Sequence, residues 1–147
     1  MISVLVTGAV KRVGSATARR LAQDGAGHIL LHCNHSANEA QALARELLDI
    51  GAGKVSLVKG DLGRFSDVEK IGRETLRLEP KLNGVVFNAG VYEKTPFGKV
   101  SEKNWDKAFN INLKSIFFLA QKLGPAMQKQ GSGRMVLIGD WAGLKPY

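Results

Sequence analysis

A glycine-rich segment near the N terminus has the composition of a phosphate-binding turn. Residues 7–14 read Thr-Gly-Ala-Val-Lys-Arg-Val-Gly, after an apolar run and before a helical pattern that begins near Ser15. Such a turn directs free backbone N–H groups and the positive end of a helix dipole at an anion. Gly8 and Gly14 supply only two of the usual three glycines of a dinucleotide-binding pattern. The segment therefore indicates either a dinucleotide phosphate site or a tight turn that needs Gly8 for a positive φ.

The end of the next apolar run offers hydrogen-bond donors instead of a carboxylate. Residues 32–36 read His-Cys-Asn-His-Ser. A site that prefers NAD usually has an Asp or Glu about 20 residues beyond the glycines, which binds the ribose 2′-OH. Here no carboxylate would repel a 2′-phosphate, so the segment favours NADP(H). The candidate donors are Asn34, His35, Ser36, Lys11 and Arg12. The alternatives are that Ser36 only caps a helix and that the histidines are ordinary strand and loop residues.

Metal binding is another use that this segment allows. His28, His32, His35 and Cys33 are residue types that bind transition metals, but their spacing matches no recognised metal motif. The sequence therefore favours an anionic ligand over a metal ion.

Five short apolar runs predict the strands that position these residues. They cover residues 2–6, 28–33, 55–58, 84–87 and 135–138. They lack polar alternation, as expected for parallel strands with helices on both faces, and the intervening segments are long enough for crossover helices. The pattern predicts an α/β fold with one doubly wound parallel sheet, a Rossmann fold, in a single domain over residues 1–147.

Helix starts are predicted at two capping boxes, Ser36 with Glu39 and Ser66 with Glu69. A longer helical pattern covers 102–130, and we expect Pro125 to kink or interrupt it. Its predicted apolar stripe consists of Trp105, Phe109, Asn112, Ile116, Ala120, Leu123 and Met127. Ile111 and Phe118 fall outside that stripe. A helix that is apolar on more than one side packs either against a partner subunit or deeper in its own fold.

Composition and charge exclude several classes of protein. The chain has 147 residues, of which 44% are hydrophobic and 23% charged, so disorder and fibrous structure are excluded. There are 21 basic and 13 acidic residues, giving a net charge of +8. The basic residues are scattered, which favours a small anionic ligand over nucleic acid.

Cysteine content and hydropathy indicate the compartment. Cys33 is the single cysteine, so no internal disulfide can form and a reducing, intracellular environment is favoured. No apolar stretch reaches the roughly 18 residues of a membrane span, and the N terminus lacks the basic region of a signal peptide. We expect a soluble, cytoplasmic protein without membrane contact.

Three short motifs follow the first, third and fourth predicted strands: Thr7-Gly8 with Gly14, Asp61-Leu62, and Asn88-Ala89-Gly90. Through them the chain resembles the short-chain dehydrogenase/reductase family throughout its length, with its glycine motif, its adenine-binding pair and its Asn-Ala-Gly signature. Asn112, after Trp105-Asp106, resembles the catalytic Asn that holds the helix backbone and a water. The resemblance implies an NADP(H)-dependent oxidoreductase. The implied cofactor contacts are Gly8, Lys11, Arg12, Val13, Gly14, Asn34, His35, Ser36, Asp61, Leu62, Asn88, Ala89 and Gly90.

Arg12 replaces the middle glycine of the family's motif, and Asp140 stands where its catalytic Ser is usual. Both replacements resemble the pteridine reductases within that family. Tyr92 falls where an aromatic ring stacks on the pterin, and Arg12 would also reach the substrate. His35 replaces a usual Arg, which implies a weaker grip on the phosphate. Gly90, where the subgroup often has Ser, keeps general carbonyl reductases as an alternative.

The family's Tyr-x-x-x-Lys pair does not occur in this sequence. Tyr147 follows Asp140 too closely and no Lys comes after it. We therefore expect an N-terminal fragment of a longer reductase of carbonyls or pterins, inactive by itself and, when complete, homo-oligomeric through the 102–130 helix. The alternatives are a cofactor-binding remnant and a non-catalytic dinucleotide-binding module that acts through a partner contact.

Overall fold

The protein is built on one parallel sheet of five strands. The computed structural model describes residues 1–141 and 145. The strands are β1 (Ser3–Val6), β2 (His28–Cys33), β3 (Val55–Lys59), β4 (Gly84–Phe87) and β5 (Arg134–Leu137). Their order is β3-β2-β1-β4-β5, and every neighbouring pair is parallel. This confirms the predicted doubly wound α/β fold, and the predicted strand boundaries differ from the observed ones by at most one residue.

Helices cover the sheet on two faces. They are α1 (Arg12–Gln23), α2 (Ala37–Ile50), α3 (Phe65–Leu78), α4 (Glu102–Phe109) and α5 (Ser115–Lys129), with a π-helical segment at Asn110–Lys114 between the last two. Among the described helices, none is long and apolar enough to cross a membrane.

Alternate strand residues feed two separate cores. Val6 and Leu31 pack with residues of α1 and α2. Leu5 and Leu30 pack with residues of α3 and α5 on the other face. Since both faces of β1 and β2 are buried, their sequences are apolar without alternation.

The long helical pattern contains a π-helical segment at its centre, whose turn holds one residue more than a turn of α-helix. The prediction of a single apolar stripe was wrong, because the π-helical segment rotates α5 relative to α4. Trp105 and Phe109 lie exposed, whereas Leu119, outside the predicted stripe, is fully buried together with Leu123. Pro125 does not interrupt α5, which continues to Lys129.

Both predicted capping boxes are also wrong. Ser36 is the N-cap of α2, but its side chain accepts no capping hydrogen bond. Helix α3 begins at Phe65, so Ser66 lies inside it. A capping box occurs instead at α4, where Ser101 accepts a hydrogen bond from the Asn104 backbone and the Asn104 side chain accepts one in return. Asn replaces the usual Glu or Gln there, so the pattern search missed it.

Candidate functional site

A cleft of ≈ 460 Å³ opens at the carboxyl ends of β1, β2 and β4. In doubly wound sheets this edge, where the strand order reverses on the two sides of β1, is the usual ligand site. The lining residues are Gly8, Lys11, Arg12, Val13, His32, Asn34, Asp61, Leu62, Asn88, Ala89, Gly90, Val91, Ile111 and Ile138. The structure thus brings together most residues that the sequence predicted as cofactor contacts.

The glycine turn leaves room for a ligand because two glycines pack closely behind it. Gly8 adopts a φ of +60°, and an added Cβ would lie 3.0 Å from the Ala89 backbone. An added Cβ at Gly14 would collide with the Gly8 carbonyl. Gly14 therefore does not line the cleft but lets α1 approach the turn. The first N–H groups of α1 have no partner within the helix, and Arg12 and Val13 of its first turn line the cleft.

The Asn-Ala-Gly segment after β4 fixes this turn. The Asn88 side-chain amide donates to the Thr7 carbonyl at 3.0 Å and the Gly8 carbonyl at 3.1 Å. The Thr7 hydroxyl accepts from the backbone N–H groups of Asn88 and Ala89, both at 3.0 Å. The Asn88 amide is used in holding the turn, so its observed contacts are structural. Asn88 also lines the cleft.

Two cations flank the open side of the turn. Arg12 is exposed and has a φ of +48°, in the left-handed region that a glycine would occupy without strain. The Lys11 ammonium lies 4.0 Å from the carboxylate of Glu39 in the first turn of α2. The sequence prediction did not foresee this acidic neighbour. Both cations lie exposed at the N terminus of α1.

The residues after β2 divide between the cleft and its rim. Asn34 lines the cleft, whereas His35 is exposed and Ser36 is the N-cap of α2. No carboxylate follows β2 directly, as the sequence indicated. His35 and Ser36 lie outside the lining of the cleft.

The loop after β3 forms another wall. Asp61 accepts a hydrogen bond from the Gly63 N–H at 2.8 Å, and the Asp61 N–H donates to the Asp67 carboxylate at 2.9 Å. This pair of turns holds Asp61 and Leu62 against the cleft. Asp67 therefore helps to fix the loop after β3, a role that the predicted capping box of Ser66 and Glu69 did not include.

Of the predicted catalytic and substrate residues, Arg12 lines the cleft, whereas Asn112, Asp140 and Tyr92 do not. The Asn112 side chain accepts from the Val91 N–H and donates to the Val91 carbonyl, both at 2.8 Å. It thus clamps the loop after β4 onto the π-helical segment. Asp140 is exposed beyond Ile138, and Tyr92 is 90% exposed. Tyr147 lies outside the described residues.

Sequence reasoning missed several residues of the cleft. Val91, Ile111 and Ile138 supply its apolar surface, and His32 lies buried at its base. A histidine within an otherwise apolar run was the available signal, because a buried polar group needs hydrogen-bond partners. Among residues 1–141 and 145, no group of three or more His, Cys, Asp or Glu is placed to hold a metal ion.

Comparison with known proteins agrees with this geometry. The family model for short chain dehydrogenase matches residues 3–147. Dehydrogenase/reductase SDR family member 4 of Oryctolagus cuniculus is 32% identical over 97% of this chain and 54% of its own length. Hydroxynaphthalene reductase-like protein Arp2 of Metarhizium robertsii is 32% identical over 94% of this chain and 50% of its own. The chain thus spans about half the length of these relatives.

Solved structures show the same fold. A short-chain dehydrogenase from Sphingobium yanoikuyae in complex with NADPH superposes with a TM-score of 0.91 at 26% identity, covering 99% of this chain and 56% of that one. FolM alternative dihydrofolate reductase 1 from Brucella suis in complex with NADP gives 0.89 at 29% identity, covering 99% and 60%. With the family model matched over nearly every residue, the chain belongs to the short-chain dehydrogenase/reductase family.

Proposed function

We propose that this chain is the dinucleotide-binding part of an NADPH-dependent reductase. The observation that carries the proposal is the cleft itself, in which a glycine turn and a helix N terminus face the wall formed by Asp61 and Leu62. An added Cβ would collide with the Gly8 carbonyl at Gly14 and would be tight and strained at Gly8, so the cradle for a pyrophosphate depends on these glycines. When bound, NADPH would supply the hydride.

The rim of the cleft supports NADPH over NADH. Asn34, His35 and Ser36 offer donors at the end of β2, and Lys11 and Arg12 add positive charge. A 2′-phosphate placed there would compete with Glu39 for the Lys11 ammonium. The complexes of the Sphingobium and Brucella proteins with NADPH and NADP support the same preference.

For the substrate we propose a carbonyl compound or the C=N bond of a pterin. The pterin alternative draws support from Arg12 in the glycine turn, Asp140 after β5 and the similarity to the Brucella dihydrofolate reductase. Tyr92, which is exposed in the loop after β4, would stack on the pterin ring once that loop closes over it. The similarity to Arp2 keeps a general carbonyl substrate as the second candidate.

Asn112 and Asp140 are the proposed catalytic residues. By holding both polar groups of Val91, Asn112 fixes the loop that borders the cleft, and its remaining N–H can hold a water in a proton relay. Asp140 would orient the proton-donating tyrosine of a complete site, or pass a proton through water.

An apolar stripe on the long helix supports self-association. Trp105, Phe109, Leu113 and Phe117 follow one another at intervals of four residues and are 56%, 43%, 59% and 61% exposed. We propose that this stripe joins two subunits. In the alternative of a non-catalytic module, the same stripe would bind a different protein, and sedimentation of the purified chain separates the two.

A reversal of cofactor preference tests the proposed function. His35→Asp places a carboxylate where the 2′-phosphate would lie, so NADPH affinity should fall by about tenfold or more while NADH affinity is kept or improves. Isothermal titration with both cofactors measures the change, and the exposed Asn38→Asp on the next turn serves as a control for added charge. Equal affinities for both cofactors before and after the His35 change would contradict the assignment.

A further inference from the structure

His32 is a buried side chain at the base of the cleft. It lies in β2 with 3% of its surface exposed. The Gly8 backbone N–H donates to its Nδ1 at 3.2 Å, and its Nε2 lies 3.1 Å from the Gly60 carbonyl. One ring therefore joins the loop after β1 to the loop after β3.

These two partners fix the chemical form of the ring. The Gly8 N–H can only donate, so Nδ1 must carry a lone pair. The Gly60 carbonyl can only accept, so Nε2 must carry the proton. A neutral ring with the proton on Nε2 satisfies both contacts, whereas a protonated ring would set two N–H groups against each other at Gly8.

The surroundings of the ring favour its neutral form. Burial lowers the pKa of His32, outweighing the opposite effects of the Gly60 carbonyl and Asp61. The other charged groups on the glycine turn, at the end of β3 and in the loop after it are Lys11, Arg12, Lys59 and Arg64. All four are cations.

The contacts of the ring reach both walls of the proposed cofactor site. Gly8, like Arg12, is left-handed, and the Ala9 N–H also donates to the His32 carbonyl at 3.1 Å. Gly60 directly precedes Asp61 and Leu62. Because Gly8 donates its N–H to His32, that group is not available to a phosphate, and its role is to set where the following turn lies.

We propose that His32 is a positioning residue, whose neutral ring holds the glycine turn and the Asp61 loop at the separation that a dinucleotide requires. The inference rests on the proposed function, because it concerns the same cleft. It assigns to His32 an effect on cofactor affinity exerted through Gly8 and Gly60.

Three substitutions separate the two contacts of the ring. In His32→Asn the side-chain oxygen can accept from the Gly8 N–H as Nδ1 does, but the contact with Gly60 is lost, so NADPH affinity should fall by about threefold. In His32→Gln the amide reaches Gly60 but offers Gly8 no acceptor, and His32→Leu offers neither contact. Both should weaken NADPH binding about tenfold, because the buried Gly8 donor loses its partner.

His28 provides a matched control at the other end of the same strand. It is 4% exposed, with Nδ1 at 3.0 Å from the Glu79 carboxylate and Nε2 at 2.9 Å from the Ser56 hydroxyl. His28→Leu also removes two hydrogen bonds of a buried ring, but far from the cleft. It should lower the melting temperature and leave the NADPH dissociation constant unchanged.

The test uses the 147-residue chain, with NADPH titration and thermal unfolding for every variant. If wild type binds NADPH and His32→Gln binds equally well, the positioning role is wrong. If wild type binds no NADPH, the proposed function fails and this role fails with it. The ¹⁵N shifts of the His32 ring at pH 7 report its form without any ligand, so a protonated ring or a proton on Nδ1 would overturn the inference even where a variant fails to fold.

Discussion

At the scale of one residue, Arg12 combines a strained backbone conformation with a positive charge. Its φ of +48° lies in a region where a non-glycine residue costs about 1 kcal/mol or more. A glycine at this position would relieve that strain, at some entropic cost in the unfolded chain. The presence of a strained cation at the mouth of the cleft is consistent with a contact to an anion, since strained residues cluster at functional sites.

We expect Arg12→Gly to weaken NADPH binding without loss of stability. A charge-assisted contact to a pyrophosphate contributes roughly 1.5 to 3 kcal/mol, so the affinity should fall about tenfold or more. The free energy of unfolding should stay the same or rise by up to about 1 kcal/mol. Titration and urea unfolding measure the two effects, with Lys70→Ala on an exposed face of α3 as the charge control. Equal NADPH affinity of the two variants would leave Arg12 without a binding role.

The buried ring of His32 also predicts a pH dependence of stability. The pKa of His32 is lowered in the folded chain, whereas a histidine in the unfolded chain titrates near about 6.5. The unfolded state therefore binds more protons between these two pKa values, and stability is lost as the pH falls below about 6.5. We expect the melting temperature to drop from pH 7 to pH 5.5 in the wild type, and His32→Asn to show a smaller drop. Parallel curves for the two proteins would contradict a neutral buried ring.

At the scale of elements, apolar runs and glycines predicted the sheet well, because the burial of a strand is visible in a few consecutive residues. Val4, Leu5 and Val6 are apolar since both faces of β1 are covered, and no long-range information was needed to recognise this. The π-helical segment at Asn110–Lys114 was not predictable in that way. Asn112, within this segment, contacts Val91, which lies 21 residues away in the sequence.

The same distinction applies to the candidate site. The glycine turn follows β1 directly, so the sequence predicted its place in the cleft, whereas Asp61-Leu62 were expected there from the family resemblance. The partnership of His32 with Gly8 and Gly60 depends on how three neighbouring strands align, and the sequence alone does not give that alignment.

The shifted stripe of α5 gives a prediction at the same scale. Leu119→Ala removes a fully buried side chain and should cost about 2 to 5 kcal/mol of stability. Phe117→Ala, in the same helix but 61% exposed, should cost under about 1 kcal/mol in the monomer. Urea unfolding at low protein concentration measures both. A larger loss of stability for Phe117→Ala than for Leu119→Ala would mean that the position of the π-helical segment, or the helix register after it, is wrong.

At the scale of the whole molecule, the part of the chain that the structure describes has an exposed apolar sheet edge at β5. Among the described residues β5 pairs only with β4, and Val136, Leu137 and Ile138 are 49%, 61% and 46% exposed. An unpaired apolar edge promotes association between chains. Activity measurements on the 147-residue chain therefore require its oligomeric state to be followed at the same concentration.

We expect the 147-residue chain to have no measurable reductase turnover. Its sequence contains no Tyr-x-x-x-Lys pair, and in the resembling family that Tyr delivers the proton while the Lys lowers its pKa and holds the ribose. A positioned acid typically contributes about 10² to 10⁴ in rate, and poor cofactor positioning adds to the deficit.

NADPH oxidation with dihydropterin and simple carbonyl substrates measures this, beside a version of the chain extended to the stop codon of its gene. NADPH binding by the short chain, measured in the same samples, separates a missing proton donor from a missing cofactor site. We expect NADPH binding by both the short and the longer chain, and turnover by the longer chain alone. Comparable turnover by the short chain would mean that a group within these 147 residues donates the proton, and the roles proposed for Asn112 and Asp140 would need to be reassigned around it.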